Sequence, residues 1–129
     1  MNKILIEVSV GELLDKISIL EIKKDKIKNP EKLKYIVEEL SLLKEEYKNN
    51  IKSDKKLDEL YQSLKIINVR LWSIEDEKRK CEKEKDFGEN FIKLSRDVHI
   101  LNDDRAKIKL EINNLTGSKI KEIKEYTNY

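Results

Sequence analysis

The sequence predicts an all-α protein: a four-helix bundle made of two antiparallel helical hairpins, preceded by a short extended N-terminal arm. Three observations lead there. Apolar residues recur at three- and four-residue intervals along most of the 129 residues. Charged residues make up 42% of the chain, with Lys and Glu interleaved at helical spacing, as on the solvated faces of long helices. The single proline and the three glycines stand at the expected helix ends, and no Gly- or Ser-rich linker divides the chain. One domain over 1–129 follows, with 1–8 as the arm and 118–129 as a tail. A chain of this size buries roughly two-thirds of its unfolded surface without help from a metal or disulfide.

Ile4, Ile6 and Val8 alternate with Leu5 and Glu7, the period of an extended arm. Ser9 followed three residues later by Glu12 is a capping box, with Val8 and Leu13 at the staple positions. The first helix therefore runs from Val10 to about Ile27, with Leu13, Leu14, Ile17 and Leu20 as its apolar face, widened by Ile19 and Ile22. Asn29-Pro30 closes it and opens the second, Asn as N-cap and Pro as the first helical residue. Leu33, Ile36, Val37, Leu40, Leu43 and Tyr47 mark one face, and Asn49-Asn50 with Ser53-Asp54 bracket a break near residue 50.

The third helix spans about Asp54 to Lys83. Leu57, Leu60, Leu64, Ile67, Leu71, Ile74 and Cys81 form a heptad seam broken only at Lys78. Its length should be about 45 Å. Asp86-Phe87-Gly88-Glu89 is the next turn, with Asp86 as the expected cap and Glu89 at the reciprocal box position. The fourth helix repeats the seam through Phe87, Phe91, Leu94, Val98, Leu101, Ile108, Ile112 and Leu115, and Arg105 takes one core position. Gly117 stops it. The tail, with Ile120, Ile123, Tyr126 and Tyr129, reads as a further helical turn packed back on the bundle. The third and fourth helices make a coiled-coil-like hairpin that protrudes beyond the shorter pair. Two helices leave much of such a seam wet, so a second copy of the chain is the expected cover.

Composition narrows the function. The 28 basic and 26 acidic residues leave a net charge of +2, too balanced to imply nucleic acid or an anionic membrane; a nucleic-acid accessory protein is favoured only if the lysines cluster on one face. No apolar run approaches the roughly 20 residues of a membrane span. The few apolar residues before Glu7 are too short for a signal-peptide core. Cys81 is the only cysteine, which fits a reducing compartment, and a cytoplasmic protein is expected. No metal or cofactor is expected: there is one His, no His-Glu-x-x-His pair, no phosphate loop, no dinucleotide glycine pattern and no nucleophile elbow. Gly11 and Gly88 read as structural glycines beside caps. His99 lies off the seam and reads as a bundle-edge side chain rather than a general base; Cys81 reads as a small buried hydrophobe.

Two polar clusters stand out. Trp72, Glu75, Arg79 and Glu82 share one stripe of the third helix, an indole edge beside a salt-bridge ladder. Glu75 and Asp76 could form a paired-carboxylate site, but adjacent helical residues point about 100° apart and do not converge. Asn102, Arg105, Lys109 and Asn113 lie along one side of the fourth helix. A guanidinium at a core position needs a carboxylate partner, a ligand anion or an escape to solvent. Folding the hairpin at Asp86 sets Asn68 opposite Arg105 and Glu75 about two turns away. The first helix can add Asp15 or Glu21. Two readings stay open: a buried structural ion-pair network, or an anion or polar-metabolite pocket built from Asn68, Glu75, Asn102, Arg105, Lys109 and Asn113.

Val8-Ser9-Val10-Gly11-Glu12-Leu13-Leu14-Asp15-Lys16-Ile17, then Ile19-Leu20-Glu21-Ile22-Lys23, resemble the opening of a bacterial domain-of-unknown-function family of small helical proteins. So do Leu71-Trp72, Ile74-Glu75-Asp76, Cys81-Glu82, Asp86-Phe87-Gly88, Asn102-Asp103, Arg105-Ala106 and Lys109. Asn113, Leu115, Gly117-Ser118, Glu122, Lys124 and Tyr126 complete a resemblance that covers nearly the whole chain. It implies a cytoplasmic protein of a bacterium or phage and supplies no activity, cofactor or catalytic residue. A looser similarity, of fold and residue type only, is to helical chorismate mutases, which hold an anionic substrate with inward-pointing Arg, Lys and polar side chains. The leading expectation is a non-enzymatic bundle that forms a homo-oligomer or binds a protein partner. The alternative is an anionic small-molecule binder or enzyme with a chorismate-mutase-like pocket around Arg105.

Overall fold

In the computed structural model, which describes residues 3–129, the chain enters its first helix at Ser9. The Ser9 hydroxyl accepts the Glu12 N–H at 3.0 Å and starts α1 (Val10–Lys26). The reciprocal half of the box is not made, because the Glu12 carboxylate reaches across to Lys109. The Asn29 side chain accepts the Glu31 and Lys32 N–H groups at 3.0 and 3.1 Å, and Pro30 opens α2 (Pro30–Asn50). Asp54 accepts the Leu57 N–H at 2.8 Å and starts α3 (Lys55–Glu84), 30 residues and about 45 Å long. Then follows α4 (Glu89–Thr116), which Gly117 ends with φ 68°, the left-handed conformation that glycine adopts without strain.

The turn between α3 and α4 differs from its sequence reading. Lys85 takes φ 56° at the end of α3 and the Asp86 N–H returns to the Cys81 carbonyl at 2.9 Å. The Asp86 carboxylate accepts the Gly88 N–H at 3.2 Å and folds the turn itself, so it does not cap α4. Gly88 holds the cap position without a side-chain bond. Phe87, expected as the first seam residue, thus lies ahead of the helix, half exposed and edge-on to Phe91 at 5.3 Å. The tail also differs: residues 118–129 form no helix. Their side chains Ile123, Tyr126 and Tyr129 stay largely exposed, and the tail reaches α4 through Glu122 to Lys109 and Tyr129 to Asp103. Residues 3–8 carry no regular secondary structure; Met1 and Asn2, the start of the expected arm, lie outside the described residues.

Among the described residues the fold is an all-helical four-helix bundle with no strand. Within it α1 packs against each of the other three helices, whereas α2 comes close only to α1. The main core joins Leu14, Ile17 and Leu20 of α1 to Leu40 of α2, Leu57, Leu60 and Leu64 of α3 and Ile112 of α4. A second cluster holds only α3 and α4 residues: Ile74, Cys81, Leu94 and Leu101, flanked by half-buried Ile67, Leu71, Phe91 and Val98. That is the far end of the hairpin, where two helices alone share the seam. Lys78, the break in the heptad, sets its ammonium over the Phe91 ring at 5.7 Å.

Candidate functional site

Where α1 crosses α4, the backbones approach so closely that a side chain at Gly11 would collide. A Cβ there would stand 2.7 Å from the Lys109 carbonyl oxygen and 3.2 Å from the Lys109 Cα. The N-terminus of α1 is sealed by the end of α4. Asn113 Oδ1 accepts the Gly11 N–H at 2.7 Å, and the Ser118 hydroxyl accepts the Val10 N–H at 3.4 Å. With Ser9 on the Glu12 N–H, the Val10, Gly11 and Glu12 donors of that helix end are satisfied within the chain.

One turn deeper lies a polar cluster inside the core. Asp15, 1% exposed, receives Arg105 Nε at 3.0 Å on one oxygen and Arg105 Nη2 on the other, a bidentate fork. Asn68 Nδ2 donates to the same carboxylate at 2.8 Å and to the Ser18 hydroxyl at 2.7 Å, and Ser18 in turn donates to the Asp15 carbonyl at 2.8 Å. Arg105 Nη1 reaches Asn102 Oδ1 at 3.4 Å. Lys109, its side chain 8% exposed, pairs with Glu12 at 2.8 Å, with Glu122 of the tail at 2.9 Å and more distantly with Asp15 at 3.6 Å. Two cations therefore face three carboxylates. Among the described residues no buried side-chain nitrogen or oxygen lacks a hydrogen-bond partner.

The electrostatics follow from this pairing. Burial raises the pKa of Asp15, but hydrogen bonds from Arg105 and Asn68, with the charges of Arg105 and Lys109, more than offset it; the carboxyl titrates below its ordinary value. Burial alone would depress Lys109, yet Glu12, Glu122 and Asp15 hold it above the usual lysine value. The hydrogen bonds to Asp15 likewise raise Arg105.

Of the sequence candidates, Asn68, Asn102, Arg105 and Lys109 share this network, and Asn113 lies beside it on the α1 terminus. Glu75 does not join. It is exposed and pairs with Arg79 at 2.9 Å, its helical neighbour four residues on. Nor does Glu21 approach Arg105; it accepts from the Tyr61 hydroxyl and pairs with Lys65 at 3.3 Å. The Arg105 carboxylate is Asp15. Glu75–Arg79 and Asp76–Lys80 form a solvated ladder beside the half-buried Trp72. Cys81 is buried, and His99 is an exposed side chain edge-on to Tyr129, whose hydroxyl donates to Asp103 at 2.7 Å.

Sequence reasoning missed Ser18 and Glu122, and took Glu12 for a cap alone. One signal was present: Gly11, Asp15, Ser18 and Ile22 recur at helical spacing on one face of α1. Small and polar residues within an otherwise apolar stripe mark a close polar crossing. Nothing local marks Glu122, which meets Lys109 only through the fold.

A surface cleft of about 650 Å³ separates the tail from α4, walled by Ala106, Leu110, Glu122, Tyr126 and Tyr129; Arg105 and Asn102 do not line it. Among the described residues no cluster of His, Cys, Asp and Glu is arranged to hold a metal ion, and no helix is long and apolar enough to cross a membrane. The geometry defines a class: a helical bundle stapled by an internally satisfied ion-pair network around a buried aspartate and a buried lysine. The family model described as Family of unknown function (DUF6165) matches residues 4–129, and the chain belongs to that family. No curated protein and no solved structure matches the chain.

Proposed function

We propose that this chain is a non-enzymatic, self-assembling helical scaffold that works in the bacterial cytoplasm. One observation carries the reading. The α3–α4 hairpin continues past α1 with a seam shared by two helices only, leaving Ile67, Leu71, Phe91 and Val98 half buried. A pair of helices gains its stability mainly from a covered apolar face, so an uncovered stretch favours association. Exposed Ile92 and Ile100 extend the apolar surface on the outer side of α4. The polar cluster supports the non-enzymatic part. Asp15, Glu12 and Glu122 occupy the positions around Arg105 and Lys109 that an anionic ligand would take, which favours the structural reading over the anion pocket. The lone buried Cys81 supports a reducing compartment.

Sedimentation equilibrium over a wide concentration range tests the reading. The expected result is a dimer or higher species that dissociates on dilution. A chain that stays monomeric at high micromolar concentration contradicts it.

A further inference from the structure

The arm offers a specific way for two copies to meet. Ile4, Leu5 and Ile6 are 86%, 84% and 76% exposed, the densest run of exposed aliphatic side chains in the described chain. No main-chain N–H or C=O of residues 3–8 is hydrogen-bonded to another described residue. A non-helical aliphatic segment with an unpaired backbone is a template for strand pairing. Beside it lies a cleft of about 670 Å³, with Leu13, Lys16, Leu43, Glu46 and Ile51 on its bundle side and the arm on the other.

We propose that the arms of two copies pair as antiparallel strands about a twofold axis at Leu5, a proposal that rests on the self-assembly reading and adds a second contact surface to the α3–α4 seam. The arm's own chemistry selects a second copy as the partner and selects the register. Centred on Leu5, Lys3 of each strand stands opposite Glu7 of the other, Ile4 opposite Ile6, and Leu5 opposite itself. Both charges are thereby matched twice, and Ile4, Leu5 and Ile6 each face another aliphatic side chain. Centred on Ile6, the register would set Leu5 against Glu7 and lose both ion pairs. Side chains alternate across a strand, so Ile4, Ile6 and Val8 form one face and Lys3, Leu5 and Glu7 the other. The first face is wholly aliphatic and fits the cleft floored by Leu13, Leu43 and Ile51. The second carries the ion pairs into solvent. A two-stranded ribbon is marginal by itself, and this floor is what makes the pairing durable.

The test is a charge-swap cycle on the full chain, read by sedimentation equilibrium. Lys3→Glu sets Glu opposite Glu twice, and Glu7→Lys sets Lys opposite Lys twice. Each is expected to raise the dimer dissociation constant about tenfold. The double variant Lys3→Glu/Glu7→Lys restores both pairs and is expected to return the constant to the wild-type value. Leu5→Cys, on the axis, should cross-link into a disulfide dimer under mild oxidation, and Ile4→Cys, opposite Ile6, should not. Circular dichroism of each variant should match wild type, since the arm contributes no helix. A wild-type dimer with the same constant in both single variants overturns arm pairing and leaves self-assembly through the α3–α4 seam standing. A wild-type monomer overturns both.

Discussion

Asp15 receives both Nε and Nη2 of Arg105 across the α1–α4 interface, a two-point clamp between residues 90 positions apart in the chain. Asp15 is almost fully buried, whereas the Arg105 side chain keeps 27% of its surface in solvent. The asymmetry decides the energetics. Losing the arginine strands a buried anion, while losing the aspartate frees a cation that can turn toward water.

Arg105→Leu should therefore destabilise the protein by about 3 kcal/mol, near the lower end for breaking a buried pair, because Asn68 and Lys109 still attend Asp15. Adding Asp15→Asn removes the stranded charge and should recover about half of that loss. Urea denaturation of wild type, both single variants and the double variant checks this. Equal losses in Arg105→Leu and in the double variant would contradict it.

Gly11→Ala should cost about 2 kcal/mol, because the new methyl meets the Lys109 carbonyl at 2.7 Å and one backbone must move. Alanine's better helix propensity returns less than about 1 kcal/mol of this. Gly88→Ala is the control. Its Cβ would meet only Asp86 Oδ1 at 3.4 Å, so its cost should be about 1 kcal/mol or less, the preference of an N-cap for glycine over alanine. Thermal melts of the two variants separate the two glycines directly.

Stability should fall in acid. Asp15, Glu21 and Glu122 are all held below the ordinary carboxyl range: Asp15 and Glu21 by partners that outweigh their burial, Glu122 first by its hydrogen bond from Lys109. Depressed carboxyls bind fewer protons when folded than when unfolded. Their contribution is complete above the unfolded value, about pH 4, and is lost as pH falls through the lower folded values. Denaturation midpoints should be level between about pH 6 and 8 and drop below about pH 4, with a shallower drop in Asp15→Asn. A midpoint rising toward acid would show the opposite sign.

Much of this architecture was legible in the chain. Ser9, Asn29-Pro30, Asp54 and Gly117 each act through short-range hydrogen bonds or backbone preference, so local reading finds them. The α3 and α4 seams follow from heptad spacing, except at the two expected ends of the α4 seam, where Phe87 and Leu115 are exposed. Asp86 misled because the same carboxylate that caps a helix also closes an Asx turn, and only the left-handed Lys85 before it decides between them. Arg105 announced its need for a partner by standing in a seam. Choosing Asp15 over Glu21 or Glu75 required the crossing geometry of α1, which Gly11 sets through a backbone approach and not through any pattern of its own. Glu75 was lost to a nearer cation, Arg79, one turn along its own helix.

We take the pairs that Arg105 and Lys109 make with Asp15, Glu12 and Glu122 to hold the fold, with no ligand anion between them. Thermal melting of wild type and Arg105→Leu, with phosphate and di- and tricarboxylates at matched ionic strength, tests it most directly. These anions should shift both proteins equally, by no more than chloride does. A rise of several degrees in wild type that disappears in Arg105→Leu would show that an anion displaces Asp15, Glu12 or Glu122, and would contradict it.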